Sequence, residues 1–224
     1  LCARRRWCSS RAGSQERLRT DAAQRPRGQS SRAVTSGQQS KLLASLFEQI
    51  DDERPLTVLE VGPAVQETVD FLSNYRCKLH VLDLFADLPI VAGEEEGSSA
   101  LHLWFEELMQ FPEGTVFDLC LFWDLFNYLD RDAVLACVAA LRPYLRQGSR
   151  AHGFALHNLN SPREDRYYGI QSAEALSIRQ RHATLPGYSP HTQSKLKNML
   201  YCFNFERSVL LSDGRLELLL RANV

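Results

Sequence analysis

The sequence predicts an α/β fold in which a mostly parallel sheet carries helices on both faces and ends in an antiparallel hairpin. Between residues 57 and 156, predicted buried strands alternate with segments of helical apolar spacing. This alternation is typical of parallel sheets covered by helices. Near the end of the chain, Asp213-Gly214 separates two alternating apolar runs, which indicates a hairpin with a type I′ turn.

The first strand, helix and strand of the predicted sheet form one βαβ unit. Residues 57–61 form a short apolar, β-branched run that stops at Gly62, as expected of a buried strand followed by a turn. Residues 66–74 have helical spacing, and a second strand at 78–82 ends at Asp83. In nucleotide-binding units of this kind the ligand lies at the helix N-terminus and the acid reaches a ribose. Gly62 and Asp83 are therefore candidate binding residues.

Two further elements are predicted around this unit. Ser36 and Gln39 match a capping box, and apolar residues then recur at helical spacing to Ile50, which predicts a helix before the first strand. After Asp83, residues 101–104 are a candidate third strand, followed by a short helical turn and a loop.

The second half of the chain continues the alternation. Strands are expected at 117–122 and 151–156, with a helix between them that Asp130 caps and that ends before Gly148. The segment 157–189 is predicted as a loop over the pocket. The final predicted elements are a helix at 189–200, capped by Ser189, and strands at 203–211 and 216–221.

Composition divides the chain into a leader, residues 1–35, and one domain, residues 36–224. Residues 1–40 contain nine arginines and two acids, a net charge of +7, whereas the remainder carries −8. The leader lacks an apolar period and is predicted to be disordered. It is interpreted as a non-functional or artefactual segment, a mitochondrial transit peptide, or a basic arm. The acidic domain argues against a nucleic-acid-binding face.

The six cysteines show neither CxxC nor zinc-ligand spacing, and three lie in apolar runs. Reduced, buried thiols fit a cytoplasmic protein. No apolar run is long enough for a bilayer, and no metal, Walker or GxSxG motif is present. These patterns predict a soluble protein without a metal centre and without a membrane partner.

Three stretches together resemble the class I S-adenosylmethionine-dependent methyltransferase family. They are VLEVGPAVQETVDFL at 58–72, HVLD at 80–83, and FPEGTVFDLCLFWDLFNYLDRDAVLACVAALRPYLRQGS at 111–149. The resemblance extends over roughly residues 40–221, including the closing hairpin. It implies a Rossmann-like three-layer αβα sandwich with a mostly parallel, seven-stranded sheet. It also implies an S-adenosylmethionine pocket above Gly62, with Asp83 on the ribose hydroxyls.

The chain departs from the pattern of that family at two places. Ala64 and Gln66 stand where the family has glycines, which lets side chains enter the turn that normally approaches the ligand. Phe105 stands where an acid is expected near the adenine amino group, and Glu106 or Glu107 are the available substitutes.

The candidate site residues follow the carboxyl ends of the predicted strands. Each also has a structural interpretation, as a turn residue, a helix cap or part of the aromatic packing. His157 is a weak candidate for a general base. Candidates for cofactor binding are Glu60, Gly62, Pro63, Ala64, Asp83, Glu106, Trp123 and Asp124, and candidates for the substrate are Asn127, Tyr128, Arg166, Tyr167 and Tyr168.

The resemblance therefore implies S-adenosylmethionine-dependent methyl transfer to an unidentified small molecule or protein group. WDLF stands where the family's amino-methylating tetrad would lie, which lowers the expectation for nucleobase or glutamine amides. The alternative is a non-catalytic protein that keeps the fold in order to bind a partner. A nicotinamide dehydrogenase is disfavoured because GxGxxG is missing. The oligomeric state is left open.

Overall fold

The computed structural model describes residues 36–48, 54–93 and 97–224. The predicted leader, the end of the first predicted helix at Ile50 and the acidic run at 94–96 lie outside the described residues.

The described part of the chain contains nine strands and five α-helices. The strands are β1 (Ser36–Gln39), β2 (Leu56–Glu60), β3 (Cys77–Val81), β4 (Phe117–Trp123), β5 (Leu145–Leu156), β6 (Arg166–Ser172), β7 (Ala175–Gln180), β8 (Phe203–Leu210) and β9 (Arg215–Ala222). The helices are α1 (Leu43–Phe47), α2 (Gln66–Leu72), α3 (Gly97–Leu108), α4 (Arg131–Leu141) and α5 (Gln193–Met199).

The main sheet has the strand order β3-β2-β4-β5-β9-β8. The first four of these strands are parallel, and β9 and β8 complete the sheet as an antiparallel hairpin. The fold is Rossmann-like, as predicted. From β2 the chain goes first to β3 on one side and later to β4 on the other. This reversal opens a crevice at the carboxyl ends of the strands, the place where open α/β sheets bind ligands.

Two apolar cores lie on opposite faces of the main sheet, as the period-2 alternation of strand β4 requires. Cys120 and Phe122 belong to the core that also contains residues of α3, α4 and α5. Leu119 and Leu121 belong to the core that contains α1 and the small second sheet. The predicted three-layer arrangement is therefore present in the described residues.

The segment that the sequence predicts as a pocket-covering loop forms a hairpin instead. β6 pairs with β7, and β7 pairs with β1 to give a three-stranded antiparallel sheet. Tyr168, Ile170, Leu176 and Ile178 of this sheet are buried against the main sheet. Polar residues within the strands, such as Arg166 and Gln171 of β6 and Arg179 of β7, obscured their period.

The predicted third strand at 101–104 is wrong, because these residues lie within helix α3. Leu101, Phe105 and Met109 are buried at intervals of four residues, which places them on one helical face. A run of four apolar residues does not distinguish a strand from a buried helix. The main sheet consequently has six strands in the described residues, with β3 at the edge, rather than the seven expected.

The predicted capping box at Ser36 is also wrong, because residues Ser36–Gln39 form strand β1. The short helix that follows is held by Ser40, whose Oγ accepts a hydrogen bond from the Leu43 N–H at 2.8 Å. The partner that makes 36–39 a strand is β7, about 140 residues away, so no local pattern indicates it.

Three boundaries in the second half differ from the prediction. Helix α5 is capped by Thr192, which accepts from the Lys195 N–H, and not by Ser189. Gly148 lies within β5 at a φ of 87°. The β8–β9 turn has Gly214 at a φ of 82°, whereas Asp213 is not in the left-handed region, so the type I′ assignment is wrong. Leu211 and Arg215 close a longer loop.

The predicted N-cap of helix α4 is confirmed, since Asp130 Oδ1 accepts a hydrogen bond from the Ala133 N–H at 2.8 Å. We expect Asp130→Ala to lower the free energy of unfolding by about 1 kcal/mol, because one N-terminal N–H of the helix loses its acceptor. Urea denaturation measures this, with Asp132→Ala as the control at an exposed acid of the same helix. Equal losses in the two variants would contradict the assigned role.

No helix in the part of the chain that the structure describes is both long and apolar enough to cross a bilayer. Among the same residues, no group of three or more histidine, cysteine or acidic side chains is arranged to hold a metal ion.

Candidate functional site

Three carboxyl groups lie where neighbouring parallel strands end. Glu60 is the last residue of β2, Asp83 comes two residues after β3, and Asp124 directly follows β4. Because the carboxyl ends of parallel strands meet at one edge of the sheet, the chain gathers these acids at the crevice between β2 and β4. The sequence named all three.

Glu60 is fully buried, and neither of its carboxyl oxygens makes a hydrogen bond among the described residues. Burial raises its pKa to about 8, an effect that the nearby polar groups of Trp123 and Thr68 reduce and the charge of Asp83 reinforces. At neutral pH the side chain is therefore mostly a neutral carboxylic acid, able both to donate and to accept a hydrogen bond.

Asp83 is half-buried, and its Oδ1 is enclosed without a partner among the described residues. Burial raises its pKa, whereas the charge of Arg181 and the backbone N–H groups of Phe85 and Ala86 oppose the rise. The carboxylate thus holds the turn after β3 and keeps one oxygen for another donor. Buried polar atoms of this kind call for an explanation, since most find partners.

The turn after β2 faces aromatic rings rather than open space. A Cβ atom on Gly62 would lie 3.4 Å from Cδ1 of Trp123 and 3.6 Å from Cε2 of Phe85. Gly62 does not adopt a left-handed φ. A glycine is useful here because it lets those two rings approach the backbone closely. Of the other turn residues, Pro63 is half-buried, and Ala64 is exposed.

Trp123 has a backbone conformation that a large side chain rarely adopts. Its φ is 51°, in the left-handed region, which costs an L-residue about 1–2 kcal/mol. The carbonyl oxygen of Trp123 lies only 3.0 Å from where a Cβ atom on Gly153 would be, so glycine on β5 permits the bend. Backbone strain at the end of a central strand is typical of functional sites.

The indole of Trp123 continues into an aromatic stack. Its ring lies parallel to that of Tyr168, with centroids 5.5 Å apart and an interplanar angle of 5°. Tyr168 in turn stacks on Phe154 at 5.1 Å. The stack joins the crevice of the main sheet to strand β6 of the small sheet.

Strand β6 crosses the first turn of helix α2. The Ile170 N–H donates to Thr68 Oγ1 at 3.1 Å, and a Cβ atom on Gly169 would lie 3.0 Å from Cγ2 of Val65. Arg179 of β7 forms an ion pair with Glu67 at 2.9 Å. The hairpin is thereby fixed over the region that the sequence predicts as the ligand-binding turn.

A cavity of about 220 Å³ lies at the carboxyl end of β4, beside Asp124. Its walls include Asp124, Asn127, Tyr128, Leu156, Arg166 and Tyr188. Asp124 is 4% exposed, and its Oδ2 accepts a hydrogen bond from the Tyr168 hydroxyl at 3.1 Å. The cavity brings together three of the residues that the sequence proposed for substrate contact.

The remaining predicted residues lie elsewhere. Glu106 is exposed on α3 and pairs with His102 at 3.1 Å. His157 is exposed just after β5, where its backbone N–H donates a hydrogen bond to the carbonyl oxygen of Gly214. Tyr167 lies under the guanidinium of Arg181, 3.8 Å from the ring centroid.

Three residues near the site were not predicted from the sequence. Thr68, Arg181 and Arg215 reach the crevice and the cavity through tertiary packing, from a helix, the end of β7 and the start of β9. An isolated polar residue in a loop or at a strand end has no periodic pattern. The position of Arg215 directly after Asp-Gly was the available indication, since turn-flanking residues of the last hairpin lie beside the carboxyl end of β5.

The sequence matches no protein-family model and no curated protein. Solved structures are similar at the level of the backbone. A 1,6-didemethyltoxoflavin N1-methyltransferase from Burkholderia thailandensis, with its substrate and S-adenosylhomocysteine bound, is 14% identical at a TM-score of 0.47; the match covers 82% of this chain and 78% of that one.

Two further solved structures are similar in the same way. An S-adenosylmethionine-dependent methyltransferase from Clostridium acetobutylicum is 13% identical at a TM-score of 0.44, covering 75% of this chain and 84% of the other. The glycopeptide N-methyltransferase MtfA, in complex with S-adenosylmethionine, is 11% identical at a TM-score of 0.44. That match covers 80% of this chain and 91% of the MtfA chain. All three are methyltransferases. Similarity at this level concerns the path of the backbone and not the chemistry of the site.

Proposed function

We propose that this chain binds S-adenosylmethionine at the crevice between β2 and β4 and transfers its methyl group to an acceptor. The observation that carries the proposal is the pair Glu60 and Asp83 at the ends of adjacent parallel strands: both carboxyl oxygens of Glu60 and Oδ1 of Asp83 are buried without a hydrogen-bond partner among the described residues. A ligand with several hydroxyl and amino donors would satisfy these oxygens at the reversal point of the sheet.

The residues present fit this cofactor in their donor and acceptor chemistry. Asp83 would accept hydrogen bonds from the ribose hydroxyls, and Glu60 would bond to polar atoms at the turn. When bound, the sulfonium cofactor supplies an activated methyl group, and the protein contributes position and alignment. The rings of Trp123 and Phe85 lie beside the turn at Gly62 and would border the cofactor there.

We expect calorimetric titration of the full chain to show S-adenosylmethionine and S-adenosylhomocysteine binding in the micromolar range. Asp83→Ala should weaken both by about tenfold or more, because a hydrogen bond to a charged group contributes about 1.5–3 kcal/mol. Asp70→Ala, at an exposed acid on helix α2, is the matched control and should bind like the wild type.

Two results would overturn the proposal. One is the absence of heat and of a thermal shift at millimolar cofactor. The other is equal weakening by Asp83→Ala and Asp70→Ala, which would place the cofactor elsewhere.

A second candidate function is a non-catalytic protein of the same fold that binds a partner. The rings of Trp123 and Phe85 lie close to Gly62, and the β6–β7 hairpin packs over α2. Both observations favour this candidate, because the chain's own side chains occupy space beside the turn where a cofactor would bind. Trp123→Ala separates the two candidates. Cofactor binding by the variant but not by the wild type supports the non-catalytic protein, and binding by both supports the enzyme.

We further propose that the protein works in the cytoplasm. Cys77, Cys120, Cys137 and Cys202 are free thiols, and the last three of them are buried. Unpaired cysteines in a core are typical of proteins in reducing compartments.

A further inference from the structure

The cavity beside Asp124 is formed by several elements that converge at the carboxyl edge of the main sheet. Asp124 follows β4, Leu156 ends β5, Arg166 begins β6 and Arg215 begins β9. Tyr188 closes a wall from the segment before α5. At about 220 Å³ the cavity has room for a small molecule but not for a peptide or a nucleic acid.

Asp124 lines this cavity, and one oxygen of its carboxylate lacks a hydrogen-bond partner among the described residues. The residue is 4% exposed, and its buried Oδ1 has no partner among the described residues. Burial raises its pKa to about 6, while the Tyr168 hydroxyl and the charges of Arg181 and Arg215 limit the rise. At neutral pH it is therefore mainly a carboxylate, and one of its oxygens needs a donor.

The two arginines of the cavity are already neutralised by the chain's own acceptors. Arg215 donates from Nε to Asp213 at 2.7 Å, from Nη1 to the Tyr168 hydroxyl at 3.1 Å, and to Gln38. Arg166 pairs with Glu164 and lies 3.4 Å from Asp213. The cavity is thus lined by three carboxylates, those of Asp124, Glu164 and Asp213, and by two guanidiniums. An anionic ligand would compete with ion pairs that are already formed.

The walls on either side of Asp124 suit an unsaturated ligand. Tyr128 and Tyr188 pack edge to face with centroids 5.5 Å apart, and Leu156 adds an apolar surface. The Tyr128 hydroxyl donates to Asp165 at 2.6 Å, so its proton does not need an acceptor on a ligand. A flat molecule with a nitrogen donor at one end matches this arrangement.

We infer that this cavity binds a small, flat nitrogen compound, an amine or amidine, whose N–H group donates to the carboxylate of Asp124. The inference deepens the proposed function and in that respect rests on it, because the ligand would be the methyl acceptor. Asp124 of the cavity directly follows Trp123, whose ring lies beside the turn at Gly62. Binding of the nitrogen compound itself needs no cofactor.

Three probes of equal shape test the inference without S-adenosylmethionine: benzamidine, benzamide and benzoate. Ligand-detected NMR titration of the full chain at pH 7.5 gives the three affinities. We expect benzamidine to bind at least about tenfold more tightly than benzoate, with benzamide between them, because a charge-assisted hydrogen bond is roughly twice as strong as a neutral one. Asp124→Asn should remove most of the benzamidine preference.

Two further variants keep the test decisive. Asp132→Asn, at an exposed acid on α4, should bind benzamidine like the wild type. Ser161→Phe, in a loop at the cavity wall, should block all three probes even if Asp124→Asn does not fold. Benzoate binding as tightly as benzamidine, or unchanged benzamidine binding in Ser161→Phe, would overturn the inference. A negative result with these probes does not affect the cofactor titration. A negative cofactor titration does not affect binding of the probes in the cavity.

Discussion

Glu60→Gln should be more stable than the wild type in alkaline solution, by on the order of 3–5 kcal/mol at pH 9. The pKa of Glu60 is raised from 4.5 to about 8 in the folded protein, chiefly by burial. The folded state therefore holds a proton that the unfolded state releases. Stability contributed by this group is complete below pH 4.5 and is lost as the pH rises through about 8, at about 1.4 kcal/mol per pKa unit.

Urea denaturation at pH 5 and pH 9 measures this effect as a difference between proteins. The wild type should lose stability between the two pH values, and Glu60→Gln should lose much less, because its amide does not ionise. Glu107→Gln, at an exposed position on α3, should follow the wild type. Parallel pH profiles for wild type and Glu60→Gln would show that the carboxyl group is solvated or paired.

Glu217→Ala should destabilise the protein by about 3–5 kcal/mol, because three donors lose the one buried carboxylate that they share, at about 1–3 kcal/mol for each buried group left unsatisfied. Glu217 and His152 are both fully buried, with 2.9 Å between Oε1 and Nε2. Glu217 also accepts hydrogen bonds from the Ser40 hydroxyl and, at 2.8 Å, from the Lys41 N–H. One carboxylate thus ties the start of α1 to strands β5 and β9.

The pH range of this effect follows from the pKa of Glu217. Burial alone would raise that pKa, but the hydrogen bonds from His152, Ser40 and Lys41 hold it at about 2. The contribution is therefore present above pH 4.5 and is lost as the pH falls towards 2. Thermal unfolding at pH 7 tests the magnitude.

The matched control for Glu217 lies on the neighbouring strand. Glu206→Ala on β8 removes a partly exposed partner of Arg150 at 3.9 Å, and the expected loss is below about 1 kcal/mol. Equal losses in Glu217→Ala and Glu206→Ala would mean that the buried network contributes no more than a surface pair.

The parts of the fold that the sequence predicted are those set by local patterns. The unit from β2 to β3 has a buried strand, a turn and an amphipathic helix within 27 residues, and each has its own period or turn chemistry. The cap at Asp130 is equally local. By contrast, β1 is a strand because it pairs with β7, and residues 101–104 are helical because α3 extends far beyond them. Short segments take their structure from distant partners.

The same distinction between local patterns and distant partners applies to the residues of the candidate site. Glu60, Asp83 and Asp124 stand at the ends of strands that the sequence located, so topology alone places them together. Thr68 and Arg215 enter through packing between elements far apart in the chain, and the orphaned oxygens become visible only when every donor around them is known.

The pairing of β1 with β7 has a consequence for synthesis on the ribosome. Ser36 lies opposite Ile178, so the first strand leaves the ribosome long before its partner exists. At 5–20 residues per second, the delay is roughly 7–28 s. During that time α1 also lacks the carboxylate of Glu217, which is made later still. The N-terminal segment therefore cannot complete its docking until β7 and β9 have been made, although it precedes both in the chain.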